Sequence, residues 1–277
     1  MEGQVTTNAA SSRTKRVAPD GAPSHDPGAA AANADRLAEL IGESECTVAL
    51  TGAGISVPSG IPDFRTPGKG LWEKVDPMEV AHIDAFRGDP KRFWSFYRPR
   101  LHGLSEFAPN PAHEALAELE RSGLLEAVIT QNIDTLHHKA GSERVIEVHG
   151  SIRTASCQVC DATYELAAVE ELFDDDGVAV CRGCTSLVKP DVVLFGELLP
   201  AEAMAEAEAL ASRADLLLCV GSSLEVYPVA GLPSTTLARG GRIAIVTQGP
   251  TPYDGDAAVR LDGDVAEELS AVVAALS

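Results

Sequence analysis

The chain has 277 residues, of which 45% are hydrophobic and 23% charged, a composition typical of a globular protein with a substantial core. Its formal net charge of −19 disfavours binding to nucleic-acid phosphates. The charge suits lysine-rich partners, or it serves only to keep the protein in solution. No run of about 18 apolar residues occurs, so we expect no membrane-spanning helix and no membrane partner.

The N-terminal segment 1–33 is rich in Ala, Gly, Pro and Ser and has no compact apolar run. This composition predicts a disordered tail rather than a secretory signal, and it favours a cytoplasmic location. The first helix is predicted to begin at Asn33 as its N-cap and to end at Gly42.

Short apolar segments then alternate with amphipathic ones. A helix is predicted from Asn110-Pro111 to Gly123, and the last helix begins at Asp264, with Glu267 completing a capping box. This alternation indicates an α/β fold with a mainly parallel, doubly wound, Rossmann-like sheet. The predicted strands lie within residues 46–56, 127–132, 145–150, 216–223 and 242–247.

Two segments interrupt the alternation. Residues 68–108 are rich in aromatic side chains and are predicted to be a helical insertion, and residues 152–190 contain two Cys-x-x-Cys pairs. We expect the two insertions to form a second, smaller domain. The predicted catalytic domain, residues 34–277, then has its Rossmann-like core in 34–67, 109–151 and 191–277.

The four paired cysteines predict a zinc site. Cys157 and Cys160 form one pair and Cys181 and Cys184 the other, with 20 residues between the pairs, as in zinc ribbons. Four thiolates leave no open coordination position, so the metal is expected to be structural. Disulfide pairing is the alternative, and it is disfavoured in an intracellular chain.

A glycine turn follows the first predicted strand. Gly52 and Gly54 would let the backbone approach a ligand closely, and the free amides of the turn would hold a pyrophosphate. Tight turns after strands often contain glycine, and no Gly-x-Gly-x-x-Gly fingerprint is present. The turn alone therefore does not distinguish a dinucleotide site from an ordinary turn.

A more specific signal comes from five motifs: GAGISVPSGIPDFR (52–65), TQNIDTLHHKAG (130–141), VHG (148–150), KPDVVLFGE (189–197) and GSSLEVYPVAGLP (221–233). In their residues, their order and their approximate spacing they resemble the motifs of sirtuins. The resemblance runs from about residue 34 to the C-terminus. It implies an NAD-dependent protein lysine deacylase, with NAD as cosubstrate, one structural Zn²⁺, and acylated-lysine proteins or peptides as substrates.

The implied reaction needs a base that titrates near neutral pH. NAD loses nicotinamide, the acyl oxygen of the substrate captures the ribose C1′, and a ribose hydroxyl must then be deprotonated to attack the resulting alkylimidate. The resemblance implies that His149 is the base that removes this proton. It also implies that Asn132 orders the reacting water or ribose, that Asp134 holds the nicotinamide carboxamide region, and that Gln131 contacts the ribose.

The resemblance also implies a loop that closes over the cofactor. Asp63, Phe64 and Arg65 lie on this Gly- and Pro-rich loop, where Phe64 would shield the activated C1′ from water. The complete implied NAD-binding set is Gly52, Ala53, Gly54, Ser56, Ile61, Asp63, Phe64, Arg65, Gln131, Asn132, Ile133, Asp134, Gly221, Ser222, Ser223, Thr247, Asp264 and Val265.

For the substrate, the resemblance implies Val193 as a backbone acceptor and Phe195 as a wall of an apolar lysine tunnel. Gly196-Glu197 and Leu224-Glu225-Val226 are the implied edges between which the peptide adds as a strand. Because backbone pairing of this kind tolerates many sequences, no peptide specificity is predicted.

The acyl group is left open. Tyr97 and Arg100 are three residues apart, and sirtuins that remove succinyl or malonyl groups have a Tyr-x-x-Arg pair in a similar place, which could hold the acyl carboxylate. Such members more often have Thr at the position of Asp63, so deacetylation is the primary prediction.

Two alternatives to deacylation stay open. The first is mono-ADP-ribosyl transfer, and the second is a non-catalytic NAD sensor, which is disfavoured because His149, Asn132 and Asp134 are all present.

Two positions depart from the family pattern. Thr135 stands where sirtuins usually have Gly, beside the nicotinamide end of the site, and is expected to alter loop packing. Thr247 stands where they usually have Asn to hold the adenosine ribose, four residues before Thr251-Pro252. Its hydroxyl is expected to keep that hydrogen bond.

Overall fold

Six parallel strands form the larger sheet of the structure, a computed structural model that describes residues 27–62 and 75–276. The strands are β1 Thr47–Thr51, β2 Ala127–Thr130, β3 Val145–Glu147, β4 Gly150–Cys157, β5 Thr163–Glu165, β6 Val188–Val192, β7 Leu216–Val220, β8 Arg242–Val246 and β9 Val259–Leu261. The sheet order is β3-β2-β1-β7-β8-β9, which reverses direction between β1 and β7 as a doubly wound sheet does. The Rossmann-like prediction is confirmed, while β9 was not predicted.

Helices cover both faces of this sheet, because its central strands bury both of their faces. Leu37, Leu116 and Leu269 pack on one face, and Leu210 and Leu232 pack on the other. Among the described residues no helix is long and apolar enough to cross a membrane. The helices are α1 Pro27–Glu43, α2 Pro77–Val80, α3 Ile83–Gly88, α4 Pro90–Glu106, α5 Pro111–Arg121, α6 Leu136–Ala140, α7 Leu166–Val169, α8 Ala201–Arg213, α9 Leu232–Ala238 and α10 Val265–Ala275.

A smaller antiparallel sheet, in the order β5-β4-β6, is formed by residues 150–192. Its side chains share one apolar cluster with those of the preceding helices. Phe86, Phe93 and Trp94, from α3 and α4, pack in this cluster with Ile152 and Val188. A helical insertion and a small cysteine-bearing domain thus accompany the Rossmann-like sheet, and the predicted fold class is confirmed.

The start of α1 corrects the sequence prediction. The helix begins at Pro27, six residues before the predicted N-cap, so Asn33 lies within it and residues 27–33 are not part of a disordered tail. An alanine run at 29–32 favours helix, and the Asn33 side-chain amide donates to the Arg260 carbonyl at 3.1 Å. The rest of the predicted tail lies outside the described residues.

The cap of α10 is also different from the prediction. Asp264 is the N-cap, and its carboxylate accepts from the N–H groups of Ala266 and Glu267. Glu267 is exposed, and the structure shows no return bond from its side chain. Instead Glu268, 6% exposed, accepts from the Gly263 N–H at 3.0 Å, because its side chain is on the inner face of the helix.

Candidate active site

The candidate active site lies where β1, β2, β3 and β7 end, at the carboxyl edge of the parallel sheet. Several predicted strands are shorter than the apolar pattern suggested: β2 ends at Thr130 and β7 at Val220. The residues that follow leave the ladder and become loops. Ligands bind open α/β sheets at this edge, near the point where the strand order reverses.

Glycines bring the loops after β1 and β7 into backbone contact. The Gly54 N–H donates to the Gly221 carbonyl at 2.8 Å. A Cβ at Gly54 would lie 2.8 Å from the Gly221 Cα, and one at Gly221, where φ is 60°, would lie 2.2 Å from the Ile55 nitrogen. Side chains are therefore excluded at this crossing, which is the requirement for a loop that approaches a ligand through its amides.

His149 is oriented by a backbone hydrogen bond. Its Nδ1 donates to the Gln131 carbonyl at 2.9 Å, which fixes the tautomer and leaves Nε2 without a proton. Burial lowers the pKa of His149, and the bond to Gln131 offsets part of this effect. The ring is therefore neutral at pH 7, with Nε2 available as a base.

Asn132, Asp134 and Ser56 form one buried network beneath the cleft. The Ser56 hydroxyl donates to Asp134 Oδ2 at 2.7 Å, and Asn132 Nδ2 donates to Ser56 Oγ at 3.1 Å. Asn132 also donates to the Gly52 carbonyl at 3.1 Å, which ties the β2 loop to the glycine turn. The Leu136 N–H holds Asp134 Oδ1 at 3.0 Å. The structure thus brings together predicted residues that are about 80 positions apart in the chain.

Two buried histidines behind this network were missed by the sequence analysis. His113 Nδ1 accepts from the Asn110 N–H, completing a capping box at the start of α5, and its Nε2 lies 3.4 Å from Ser56 Oγ. His137 Nε2 lies 2.9 Å from Thr51 Oγ1. The available signal for His113 was its position three residues after the predicted Asn110 cap, which is the reciprocal place in a capping box.

These histidines predict an acid-sensitive fold. Burial lowers the pKa of His113 to about 4 and that of His137 well below 6.5. The unfolded chain therefore binds protons that the folded chain does not, and the free energy of unfolding should fall as the pH drops below 6.5. The slope is about 1.4 kcal/mol per pH unit for each histidine. Urea denaturation at pH 7.0, 6.0 and 5.0 measures it.

His113→Gln is the comparison variant for this measurement, because it has one titrating group fewer in both states. We expect its stability to depend less steeply on pH between 6.5 and 5, by about one proton per molecule. Equal slopes for the variant and the wild-type chain would contradict a depressed pKa at His113.

Other predicted NAD-binding residues occupy different positions around the cleft. Gln131 Nε2 donates to Ser222 Oγ at 2.9 Å, which joins the loops after β2 and β7. Thr247 is buried at the end of β8. The Asp264 carboxylate caps α10, and the Val265 side chain points into the core. Ala53, Ile61, Ile133 and Ser223 are half-buried, while Asp63, Phe64 and Arg65 lie outside the described residues.

Thr135 has a backbone conformation that explains the usual glycine of the family. Its φ is 66° and its ψ is 8°, and it precedes α6 without a side-chain cap bond. A β-branched residue in the left-handed region is strained by about 1–2 kcal/mol. The Leu136 N–H donates to Asp134 Oδ1 at 3.0 Å, so the cap of α6 does not depend on the Thr135 side chain.

The predicted substrate residues lie on the loop that follows β6 and on the loop that follows β7. The Val193 N–H donates to the His149 carbonyl at 2.8 Å, so this residue is fixed next to the candidate base. Phe195 is 43% exposed. On the other loop, Leu224 has φ 53° and is buried, Glu225 is exposed and Val226 is half-buried.

Tyr97 and Arg100 both lie on α4, which continues through Pro99. Tyr97 stacks on Phe93 with ring centroids 4.3 Å apart, and burial raises its pKa. The exposed Arg100 guanidinium turns back, donates to the Phe96 carbonyl, and lies 3.5 Å from the centroid of the Phe96 ring.

The four predicted metal ligands converge. Their Sγ atoms all lie within 4.8 Å of one another, with 3.4 Å between Cys157 and Cys184 and 3.5 Å between Cys160 and Cys181. A tetrahedral zinc with bonds of about 2.3 Å requires separations of roughly 3.8 Å. A disulfide would require about 2.05 Å. Backbone N–H groups two residues after Cys157 and Cys181 donate to their sulfurs, as they would to thiolates. The residues fit a structural zinc.

The doubly wound sheet, the polar cleft at its carboxyl edge and the four-cysteine cluster define a Rossmann-like protein with a small zinc-binding domain. Residues 52–228 match the family model described as the Sir2 family. The chain therefore belongs to the Sir2 family, and the sirtuin resemblance of the five motifs is confirmed.

Individual relatives agree with this assignment. The chain is 46% identical over 229 residues to the NAD-dependent protein deacetylase of Thermotoga maritima, covering 83% of this chain and 92% of that protein. It is 47% identical over 240 residues to the NAD-dependent protein deacylase 2 of Archaeoglobus fulgidus, covering 86% and 94%. A solved structure of Sir2 with a p53 peptide and NAD⁺ has a TM-score of 0.81 and 44% identity, covering 86% of this chain and 96% of that one.

Proposed function

We propose that this chain removes acetyl groups from protein lysines with NAD as cosubstrate. Acetyl-lysine, NAD and water would give lysine, nicotinamide and O-acetyl-ADP-ribose. The observation that carries the proposal is the orientation of His149. Its Nδ1 is bound to the Gln131 carbonyl, and its Nε2 has no hydrogen-bond partner among the described residues. Relatives named as a deacetylase and a deacylase support the same reaction.

The residues of the cleft have distinct tasks in this reaction. NAD supplies an electrophilic ribose carbon once nicotinamide leaves. The backbone amides near Gly54 and Gly221 would hold the phosphates, because no side chain obstructs them. Asn132 and Asp134, fixed through Ser56, would orient the ribose and the nicotinamide amide. His149 Nε2 would take the proton from the ribose hydroxyl.

The acyl-lysine peptide would add beside the loops that follow β6 and β7. Val193 would accept the hydrogen bond of the substrate amide, and the exposed ring of Phe195 would line the lysine tunnel. Gly196-Glu197 and Leu224-Glu225-Val226 would pair with the peptide backbone. Such pairing explains how one site accepts many proteins.

Removal of succinyl or malonyl groups is the second candidate. The Arg100 guanidinium has no carboxylate partner among the described residues, so it is available to an acidic acyl group. Against this, Asp63 stands where sirtuins that remove acidic acyl groups more often have Thr, and the Thermotoga maritima relative is named a deacetylase. We therefore propose acetyl as the preferred group.

The remaining parts of the proposal concern organisation. The four cysteines would hold one zinc that stabilises the small domain, residues 152–190, with residues 68–108 as the helical insertion and 34–67, 109–151 and 191–277 as the Rossmann-like core. A cytoplasmic location is supported by cysteines that are all free of disulfides.

Nicotinamide release tests the function. The purified chain is incubated with NAD and either an acetyl-lysine peptide, a succinyl-lysine peptide or the unmodified peptide. We expect release that depends on the acyl group and is faster with acetyl. Loss of acyl mass from the peptide, with no mass added to any protein, separates deacylation from ADP-ribosyl transfer. If folded, zinc-loaded protein releases no nicotinamide in response to either acyl peptide, the proposal is wrong.

A further inference from the structure

A partly buried ion pair, to which the reaction assigns no chemical step, lies just below the predicted substrate edge: the Glu197 side chain is 23% exposed. Lys189, 7% exposed, is on β6. Its Nζ donates to the carbonyls of Pro190 at 3.0 Å and Val192 at 2.7 Å, and it lies 3.1 Å from Glu197 Oε2. The two carbonyls take two of the three ammonium protons, and Glu197 supplies the opposite charge.

The same carboxylate closes the turn at residues 194–197, which we call the edge turn. The Leu194 N–H donates to Glu197 Oε2 at 2.8 Å, and the Glu197 N–H donates to the Leu194 carbonyl at 3.0 Å. One carboxylate oxygen of Glu197, Oε2, therefore accepts from the edge turn and also forms the ion pair with Lys189. Without that oxygen, the turn would lose its contacts with the Glu197 side chain and keep the backbone bonds of Phe195 to Ala81 and Ile83 and of Glu197 to Leu194.

The edge turn presents unpaired backbone toward solvent. Within the part of the chain that the structure describes, the N–H and carbonyl of Gly196 have no hydrogen-bond partner. The neighbouring Phe195 and Leu198 side chains are exposed by 43% and 94%. At the other end, the Val193 N–H is bonded to the His149 carbonyl. The ion pair thus acts together with the backbone bonds of Phe195 to hold the unpaired backbone of Gly196 close to the candidate base.

We infer that the Lys189–Glu197 ion pair positions the edge turn for pairing with the acyl-lysine peptide, and so determines peptide affinity. This inference rests on the proposed function. A buried ion pair often adds little to stability compared with apolar side chains of similar size, so holding a conformation is the stronger physical role. Lys189 and the Glu197 side chain are positioning residues, because they act through the backbone of the turn.

Four variants test this role: Lys189→Met, Glu197→Ala, Glu197→Gln and the double variant Lys189→Met/Glu197→Ala. The first two should each raise the peptide KM roughly tenfold, the effect of losing about one hydrogen bond in the bound peptide. Glu197→Gln keeps an acceptor for the Leu194 N–H but removes the charge that pairs with Lys189. Its peptide KM should lie between the values of the wild-type chain and of Glu197→Ala.

Two further readouts separate positioning from general damage. The dissociation constant of NAD, measured by calorimetry, and kcat at saturating peptide should each remain within about twofold in all variants. The double variant should have the peptide KM of the single variants, because both changes remove the same constraint. The matched control is Asp176→Ala, which removes the exposed Lys91–Asp176 pair, also 3.1 Å long, and should leave KM unchanged.

The inference is overturned if Glu197→Ala keeps the wild-type peptide KM, or if Glu197→Gln keeps it, because the charge of Glu197 would then be dispensable. Additive effects in the double variant, or equal losses in kcat and NAD binding, would also overturn it. If Lys189→Met does not fold, the two Glu197 variants still decide the question. Failure of the wild-type chain to release nicotinamide would instead refute the proposed function.

Discussion

His149→Ala is expected to lower kcat for deacetylation roughly 10²–10⁴-fold, the usual contribution of a general base. The structure gives the reason: the Nδ1 bond to the Gln131 carbonyl leaves a neutral ring whose Nε2 can accept the ribose hydroxyl proton. Because burial lowers the pKa of His149 below 6.5, the neutral ring persists into mildly acidic solution. The wild-type kcat/KM should therefore begin to fall only below pH 6.5, which a pH profile measures.

Two comparison variants make the His149 result specific. His149→Asn can still donate an amide N–H toward the Gln131 carbonyl but has no basic nitrogen, so it should lose as much activity as alanine. His138→Ala removes another half-buried histidine, 3.5 Å from Glu147, and should change kcat by less than about threefold. Substantial activity in His149→Asn would mean that the ring acts by position rather than as a base.

The step at which the His149 variants fail can also be measured. Deprotonation of the ribose hydroxyl follows the departure of nicotinamide in the proposed reaction. The variants should therefore still exchange labelled nicotinamide into NAD in the presence of acetyl-lysine peptide, while forming little deacetylated peptide. Loss of the exchange along with deacetylation would place His149 at an earlier step.

Gly150→Ala should disrupt both stability and activity. Gly150 has φ 72°, and a Cβ there would lie 2.0 Å from the Asp191 carbonyl oxygen, which belongs to the backbone of β6. We expect a loss of roughly 3 kcal/mol or more in the free energy of unfolding, from backbone strain and overpacking together. The displaced β4–β6 contact would also move His149 away from Val193, and an error of about 1 Å can cost about 10²-fold in rate.

Gly177→Ala is the matched control for this prediction. Gly177 has nearly the same φ, 76°, but a Cβ there would meet no atom within 4 Å. It should lose only the strain of the left-handed conformation, about 1–2 kcal/mol, and keep its activity. Urea denaturation and the deacetylation assay measure both variants. If Gly150→Ala and Gly177→Ala lower the free energy of unfolding and the activity equally, the contact with Asp191 does not exclude a side chain at position 150.

Local patterns in the sequence predicted much of the fold and of the candidate site. Apolar runs bounded by glycine gave the positions of β1, β7 and β8, and the Asn110-Pro111 cap gave the start of α5. The cysteine spacing predicted a cluster that the structure forms. The boundary at Pro27 and the strand β9 were not predicted, because a three-residue strand and a helix start made mostly of alanine leave little periodic signal.

The sequence by itself determined the residue types of the site, because the motifs contain the functional side chains in a fixed order along the chain. Only the tertiary structure decided how they act on one another. The His149 tautomer depends on a carbonyl 18 residues away, and the Ser56–Asp134 bond joins positions 78 residues apart. The same holds for the burial of His113 and the Lys189–Glu197 pair, because hydrogen-bond geometry and desolvation arise only when distant segments pack together.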